Sequence, residues 1–334
     1  MSVHVPAEWS PHRAMWLGFP SHGELWEDDM EPAQAEVAAL ARALAGPGGE
    51  RVRLMVCGEA ALAQAKARLE GVRGVEFVQS QFGDIWLRDT GPLFLAGERE
   101  APAAGFRFNG WGGKYVLDDD DLVAEQIAAA GGVPLRRHDF VVEGGALDHD
   151  GFGAVLTTRQ CLLNPNRNPG WTEATAEAAL GEALGVRRVL WLDDGLLNDH
   201  TDGHVDNLAR FVAPGVVACP VAYGRDDPNA AVYTEVARAL AGMRGPRGAP
   251  LQVARIASPG RVVDADGEIA PASHMNFIIA NKAVIAPIYD DAAGSLAVDA
   301  LRGLFPERAV IGLSAKAILT GGGSFHCITQ QEPA

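Results

Sequence analysis

Apolar residues recur at helical spacing in five long segments of the chain, with polar residues between them. In one segment Val232, Val236 and Leu240 share a face, because residues three and four apart lie on the same side of a helix. The five segments begin near Glu31, Asp120, Thr172, Val232 and Ala292, and a shorter helical segment runs from Glu59 to Leu69. The last three begin sixty residues apart, which indicates a repeating unit.

Short β-type runs that fold back on themselves lie between these helices, and each pair is typical of a β-hairpin. In the first hairpin Glu143–Leu147 enters a turn at Asp150-Gly151 and Ala154–Thr158 returns. In the second the turn is Pro214-Gly215 and Val216–Ala218 returns. In the third Asn276–Ala280 enters a turn at Asn281-Lys282 and Ala283–Ile285 returns. Repeated hairpin-plus-helix units of about sixty residues predict an α/β fold in which the units are arranged radially. We expect one barrel-like or propeller-like domain over residues 1–334.

The composition is typical of a globular protein with a large apolar core, since 48% of the residues are hydrophobic and 21% are charged. The formal net charge of −15 argues against a nucleic acid or an anionic membrane as a partner and favours a cationic small molecule. Part of this charge is the run Asp118–Asp121, which we interpret as a solvated helix start, where carboxylates suit the helix dipole.

The four cysteines, Cys57, Cys161, Cys219 and Cys327, stand singly and form no CxxC pair. This spacing predicts neither a structural metal site nor a disulfide framework, and it favours a reduced, cytoplasmic protein. The first residues show no basic region followed by an apolar run, so we expect no signal peptide. We also expect no membrane-spanning segment, because no apolar run is long enough.

The segment Gly321–Cys327 places a cysteine four residues after three consecutive glycines. Glycine backbone can approach a ligand closely, and a cysteine beside such a loop can act as a nucleophile if a base or a cation favours its thiolate. The alternative is that Cys327 is a small buried apolar residue beside a turn.

A second candidate region is Asn198–Asn207. If it enters a hairpin as a strand, Asp202, His204 and Asp206 alternate and share one face, which is costly in an apolar core and favours a polar cleft. A surface strand is the simpler alternative. A metal hydrolase is another, with His200 and His204 as ligands four residues apart on a helix.

Two further regions pair a carboxylate with neighbouring glycines. Trp86 and Asp89 flank what we interpret as a strand end before Gly91, and an aromatic face beside a carboxylate is suited to a cation. Glu143 ends an apolar run and precedes Gly144-Gly145. A core tryptophan beside a surface ion pair, and a carboxylate that caps a turn, are the ordinary alternatives.

Taken together, these regions resemble the agmatine deiminase family, also called the Porphyromonas-type peptidylarginine deiminase family, over nearly the whole chain. The motifs that carry the resemblance are Trp9–His12, Trp16–Pro20, Ile85–Pro92, Phe108–Tyr115, Glu143–Gly145, Cys161–Pro169, Thr201–Asn207, Asn276-Phe277 with Asn281, and Gly321–Gln331. The resemblance implies a five-bladed α/β propeller of ββαβ units, the pentein fold. It also implies a hydrolase that converts a guanidine to the ureido product plus ammonia without a cofactor or a metal.

The resemblance also assigns roles to individual residues. It implies that Cys327 is the nucleophile, that His204 is the general acid and base, and that Asp89 and Asp206 hold the guanidinium group. Glu143 matches the carboxylate that pairs with the histidine and the substrate. The remaining residues that the resemblance places at the substrate are Trp86, His200, Trp111 and Gly323.

Two positions depart from the pattern of family members that act on agmatine. Those members commonly carry an acidic residue where His200 stands and a tyrosine where His274 stands. The resemblance therefore implies agmatine, converted to N-carbamoylputrescine on the route to putrescine, or another guanidine with a neutral or anionic tail. A related amidinotransferase and a non-catalytic binding propeller are open alternatives, and so are a monomer and a homo-oligomer.

Overall fold

The computed structural model describes residues 3–97, 102–245 and 248–334. Within these residues the strands form five separate sheets, one of four strands and four of three. The strands are β1 His12–Gly18, β2 Val52–Val56, β3 Val75–Gln79, β4 Leu93–Phe94, β5 Ala103–Arg107, β6 Leu135–Val141, β7 Asp148–His149, β8 Ala154–Thr158, β9 Arg188–Leu192, β10 Arg210–Ala213, β11 Val216–Val221, β12 Gln252–Ala257, β13 Ile278–Ile279, β14 Ala283–Ile288, β15 Ala309–Ser314 and β16 Thr329–Pro333.

Four sheets repeat one unit, in which a hairpin is followed by a helix and by a strand that lies parallel to the second hairpin strand. In the last of them β13 pairs antiparallel with β14, and β15 pairs parallel with β14 after the helix Asp291–Leu304. The same order holds for β4 to β6, β7 to β9 and β10 to β12. The predicted hairpin-plus-helix repeat is therefore confirmed.

The first sheet is assembled from both ends of the sequence. Its order is β16-β1-β2-β3, with β16 antiparallel to β1 and the other pairs parallel. Gln330 pairs with Trp16 across this junction. Its strands β16, β1 and β2 repeat the unit of the other four sheets, with the first hairpin strand more than three hundred residues after the second, and β3 is an additional strand.

The long helices lie where the sequence periodicity predicts them, and each buries its apolar face against a sheet. They span Met30–Ala45, Glu59–Arg68, Val123–Gly131, Glu173–Leu184, Ala230–Gly242 and Asp291–Leu304, and the shorter helical segments are Gly23–Trp26, Glu27–Asp29, Leu87–Thr90, Gly110–Gly113, Asp120–Leu122, Gly144–Ala146, Arg159–Leu162, Val205–Asn207 and Lys316–Thr320. In the last long helix Ala293, Ala297 and Leu301 are buried at four-residue spacing, and Asp290 caps its first amide groups, a contact that stabilises a helix by about 1 kcal/mol. No helix in the described part of the chain is both long and apolar enough to cross a membrane.

Three local predictions are wrong. Asp202, His204 and Asp206 do not alternate along a strand, because Asp202 and Gly203 adopt positive φ angles (62° and 87°) and Val205–Asn207 is a 3-10 helix. Trp86 and Asp89 flank no strand end, since Leu87–Thr90 is one helical turn. The predicted entry to the first hairpin, Glu143–Leu147, is not a strand: Gly144–Ala146 is a 3-10 turn, and the strand begins at Asp148.

The acidic run Asp118–Asp121 is not wholly solvated as predicted. Asp120 is buried, and its Oδ1 accepts hydrogen bonds from the amide groups of Gly83 (2.8 Å) and Asp84 (3.2 Å). Burial raises the pKa of the Asp120 carboxyl to about 7. This side chain therefore fixes the loop that precedes Trp86, in addition to standing at a helix start.

Candidate active site

Five polar side chains converge from equivalent positions, because each lies a few residues before the first strand of a different sheet. Asp89 precedes β4, Glu143 precedes β7, Asp206 precedes β10, Asn276 precedes β13 and Cys327 precedes β16. All five are at most 7% exposed. The repeat that builds the sheets therefore also brings these side chains together.

A cavity of about 260 Å³ opens above this group. Its lining consists of Leu25, Trp26, Asp84, Trp86, Asp89, Trp111, Tyr115, Leu117, His200, Thr201, Thr320, Gly321, Gly322, Gly323 and Cys327. The predicted residues Cys327, Asp89, Trp86, Trp111, His200 and Gly323 thus line one cavity, and His204, Glu143 and Asp206 lie behind its inner wall.

The Cys327 thiol lies at the inner end of the cavity. Asn276 Nδ2 donates to Cys327 Sγ (3.2 Å), and Asn276 Oδ1 accepts from the Cys327 amide group (3.3 Å). Asp206 Oδ2 is 3.8 Å from the sulfur. Burial raises the pKa of the Cys327 thiol well above its ordinary value, and the negative charges of Asp206 and Asp89 raise it further. A cation bound here would oppose that effect and favour the thiolate.

His204 is buried between two carboxylates. Its Nδ1 is 3.7 Å from Asp89 Oδ2, and its Nε2 is 4.0 Å from Glu143 Oε2. Burial opposes protonation of the imidazole. The Asp89 carboxylate, followed by Cys161 and Glu143, outweighs burial and raises the pKa of His204 well above its ordinary value. This shift favours the protonated imidazole, which can act as an acid.

Asp89 is held by two donors, one on each oxygen. Gly145 donates its amide hydrogen to Oδ1 and Trp111 donates from Nε1 to Oδ2, both at 2.9 Å. Trp111 adopts a left-handed conformation (φ 52°) in a turn whose Gly112 amide group donates to Asn109 Oδ1. A side chain at Gly145 would come within 2.6 Å of the His204 ring, so only glycine lets the backbone reach Asp89. Burial raises the pKa of the Asp89 carboxyl.

Asp206 is ionised, and one of its oxygens lacks a donor. Its Oδ2 lies 2.8 Å from His326 Nδ1, and its Oδ1 has no hydrogen-bond partner among residues 3–97, 102–245 and 248–334. Burial alone would raise the pKa of this carboxyl, but the bond and charge of His326 outweigh burial and lower it. A buried carboxylate oxygen without a donor can accept a hydrogen bond from a ligand or from water.

Glu143 is paired with a buried arginine. Arg167 Nε donates to Glu143 Oε1 (2.7 Å), and Arg167 Nη1 donates to Asp202 Oδ2 (2.5 Å). The second Asp202 oxygen lies 2.5 Å from Lys114 Nζ. Asp202, predicted to face a cleft beside His204, is therefore neutralised by cations and does not reach the inner end of the cavity.

Two tryptophans form an aromatic wall of the cavity. The rings of Trp26 and Trp86 stack with their centroids 6.2 Å apart, and both donate from Nε1 to Asp84. A side chain at Gly323 would come within 2.5 Å of the Trp86 ring and 3.2 Å of Cys327 Cβ. The glycine run therefore allows the backbone to lie against the wall and leaves the cavity open.

The cavity mouth is exposed and polar on one side. His200 Nδ1 lies 3.1 Å from Tyr115 Oη, and Lys114 Nζ donates to the His200 carbonyl oxygen. The metal pair His200 and His204 is not formed, since the segment is not helical and only His204 is buried. In the described part of the chain one other group, Glu143, Cys161 and His204, has potential metal-ligand atoms within 4.8 Å of one another.

Sequence reasoning missed several buried partners of the site: Asn276, His326, Arg167, Cys161, Asp84 and Trp26. Four of them lie inside the motifs quoted above and Asp84 directly precedes one, but their residue types alone carried no signal of a role. Asn276 could have been found from its place before a hairpin, which is the same as that of Asp206.

The sequence profile of the Porphyromonas-type peptidyl-arginine deiminase family matches residues 4–333. The chain is 37% identical to the agmatine deiminase of Ectopseudomonas mendocina over 99% of this chain and 95% of that protein, and 38% identical to the agmatine deiminase of Stutzerimonas stutzeri with the same coverage. The structure of the agmatine deiminase of Enterococcus faecalis superposes with a TM-score of 0.92 at 32% identity, covering 99% of this chain and 96% of that one.

Proposed function

Because the chain belongs to the Porphyromonas-type peptidyl-arginine deiminase family, we propose that it is a cysteine hydrolase that converts a guanidine to the ureido product and ammonia. The observation that carries the proposal is the convergence of Cys327, His204 and two carboxylates at the closed end of one cavity. The relatives named above are agmatine deiminases. Agmatine or a guanidine of similar shape, rather than a macromolecule, is the substrate that we propose for this site.

Asp89 and Asp206 bind and orient the guanidinium group. Asp206 is fixed at Oδ2 by His326, its Oδ1 has no partner in the described part of the chain, and Asp89 adds a second fixed carboxylate. Carboxylates match the planar fork of a guanidinium and hold its carbon in one position. The Trp86 ring offers an aromatic face to the same cation.

Cys327 Sγ attacks the guanidinium carbon once the bound cation has favoured the thiolate. The product is a tetrahedral adduct with a new C–S bond. His204 donates its proton to one nitrogen, the C–N bond breaks, and ammonia leaves. The sulfur then remains bound to the carbon of an amidino group as a thiouronium intermediate.

Water completes the reaction. The neutral His204 accepts a proton from the attacking water, the C–S bond breaks, and the urea leaves with the oxygen atom of that water. The net reaction consumes one guanidinium and one water and yields one urea and one ammonium ion. Glu143, fixed by Arg167, stabilises the charged imidazole before the first step and after the second.

The fold that we propose is a single domain over residues 1–334, in which the five sheets are blades of a pseudo-symmetric five-bladed propeller of ββαβ units. The supporting observations are the five repeated units, the strand β16 that completes the first sheet, and the equivalent positions of the five converging side chains. A cytoplasmic location fits the four free cysteines.

The mouth favours a second candidate within the same reaction class. No carboxylate among the cavity-lining residues of the mouth is available to an ammonium tail, and His200 with Tyr115 offers hydrogen bonds instead. A guanidine with a neutral or anionic tail is therefore the alternative substrate to agmatine.

An ammonia-release screen tests the proposal, using agmatine, arginine, methylated arginines, guanidino acids and arginyl peptides. We expect at least one guanidine to be hydrolysed, with one ureido product formed per ammonia. Cys327→Ser should lower this rate at least about a thousandfold without lowering the melting temperature. Cys57→Ser is the matched control and should retain the rate, since this half-buried thiol lies outside the cavity. No release from any compound would contradict the proposal.

A further inference from the structure

Behind Asp206 lies a chain of buried ionisable side chains that the reaction described above does not use. His326 Nδ1 is 2.8 Å from Asp206 Oδ2, and His326 Nε2 is 3.3 Å from Glu8 Oε2. Asp206, His326 and Glu8 are 0%, 3% and 7% exposed. The histidine therefore links the carboxylate at the cavity to a second carboxylate from the N-terminal part of the chain.

Glu8 is itself fixed on all sides. Its Oε1 accepts from the Ile279 amide group (2.7 Å), and its Oε2 is paired with the guanidinium group of Arg210. Arg210 Nε in turn donates to Asp148 Oδ1 (2.7 Å). Burial opposes ionisation of Glu8, but Arg210 and His326 outweigh burial and hold its pKa far below the ordinary value. The far end of the chain is therefore a rigid, ionised carboxylate.

A histidine between two carboxylates is restricted in orientation. Nδ1 lies 2.8 Å from Asp206 Oδ2 and Nε2 lies 3.3 Å from Glu8 Oε2, so contacts at both ring nitrogens fix the plane of the ring. The ring then holds Asp206 Oδ2, which leaves Oδ1 as the oxygen without a partner in the described part of the chain.

We propose that His326 and Glu8 are positioning residues for substrate binding: they hold Asp206 through Oδ2, the oxygen that also lies 3.8 Å from Cys327 Sγ, so that the carboxylate is fixed before the guanidinium group binds. This inference rests on the proposed function. A carboxylate that is already oriented need not be reordered when the cation binds, and the charge-assisted bond behind it keeps it ionised. This role differs from that of His204, which moves protons.

Two isosteric substitutions of His326 separate positioning from structure. Asparagine places its amide nitrogen where Nδ1 lies, so His326→Asn keeps a donor to Asp206 and loses the link to Glu8. Glutamine places its amide nitrogen where Nε2 lies, so His326→Gln keeps the link to Glu8 and loses the donor to Asp206. The backbone here does not depend on the ring, because Asn276 Oδ1 accepts from the His326 amide group (2.8 Å).

The first measurement is the KM and kcat of both variants with the best guanidine from the screen. We expect His326→Gln to raise KM about tenfold or more, the worth of a charge-assisted hydrogen bond, and to change kcat less than about threefold. His326→Asn should raise KM about threefold. Equal KM values for the two variants, or a loss in kcat alone, would overturn the proposal.

Glu8→Gln supplies a second readout that does not require His326→Gln to fold. We expect this substitution to raise KM about threefold in the native background, because the imidazole loses its rear anion. In the His326→Asn background the same change should leave KM unaltered, since the link is already broken. Equal effects in the two backgrounds would show that Glu8 acts only on the fold and would overturn its positioning role.

Direct binding separates this inference from the proposed function. In the Cys327→Ser background, calorimetric titration with the same guanidine should give a Kd about tenfold higher for His326→Gln than for the unmodified ring. An unchanged Kd would overturn the positioning role even if the enzyme is active. A native protein that hydrolyses no guanidine in the screen would instead overturn the proposed function.

Discussion

The two ends of the cavity are built in different ways. At the inner end Asp89, Asp206 and Glu143 are each fixed by at least one hydrogen bond from a buried group. At the mouth Tyr115 is 45% exposed, and the His200 ring is held by this single exposed partner. The inner end is therefore buried and held by hydrogen bonds, whereas the mouth is exposed and has fewer fixed contacts.

The two ends of the cavity bear on different parts of the proposed function. In that proposal the inner end binds one planar cation, so it determines the reaction class. The mouth contacts whatever chain the guanidine carries, and its few weak contacts can change without disturbing the carboxylates behind it. Relatives that share the inner end can therefore differ in the tail of their substrates.

Asp89→Asn at the inner end should have a larger effect than any substitution at the mouth. Asparagine removes the negative charge that attracts the substrate and stabilises the protonated His204 ring. It also turns an amide group toward one of the two donors that Asp89 accepts from. We expect kcat/KM to fall about a hundredfold or more, as for other buried charge pairs that lose a partner. The control is Asp118→Asn, because Asp118 is exposed and lies outside the cavity lining. A loss of less than about tenfold would contradict a rigid inner end.

The pH dependence of Cys327 alkylation tests how the carboxylates of the inner end affect the pKa of this thiol. Because burial, Asp206 and Asp89 raise the pKa of this thiol, the thiolate fraction in the free enzyme is small at neutral pH and grows as the pH rises. We expect labelling by iodoacetamide, followed by mass spectrometry of the Cys327 peptide, to accelerate beyond about pH 9. Asp206→Asn removes an anion, so its thiol should react about tenfold faster at about pH 8. A labelling rate of the native protein that no longer rises with pH below about pH 8 would contradict this prediction.

Substitution at the mouth should change selectivity rather than rate. His200→Glu places a carboxylate at the exposed rim of the cavity. An exposed ion pair between this carboxylate and the ammonium tail of agmatine is worth up to about 1 kcal/mol. We expect the ratio of kcat/KM for agmatine to that for a guanidino acid of equal length to rise about fivefold. Tyr115→Phe is the matched control, since it removes the hydroxyl beside His200 without adding charge. An unchanged ratio would show that the tail does not lie against His200.

The repeated units were predictable from the sequence because their signals are local. Helical spacing and turn residues mark three hairpins and each long helix within about twenty residues, and the structure has them there, whereas the pairing of β4 with β5 was not predicted. The pairing of β16 with β1 was not predictable, because its partners lie more than three hundred residues apart and neither strand forms a hairpin with its neighbour.

The irregular backbone of the site could not be predicted because distant groups hold it in place. Gly203 shows no pattern of its own, but its carbonyl oxygen accepts from Thr158 Oγ1 (2.6 Å), and the Thr201 carbonyl oxygen accepts from Arg167 (2.8 Å). These bonds hold a turn where alternation indicated a strand. The residues Cys327, His204, Asp89, Glu143 and Asp206 were nevertheless brought together as the resemblance implied, and their roles stay predictions.

The strand β16 has a consequence for how this protein is made. Cys327 lies two residues before Thr329, the first residue of that strand, so its sulfur reaches the cavity when β16 docks beside β1. Every other strand of the five sheets is translated earlier. Until β16 pairs with β1 the sulfur is therefore not held beside Asn276 and Asp206, and the proposed chemistry depends on the pairing of two strands more than three hundred residues apart.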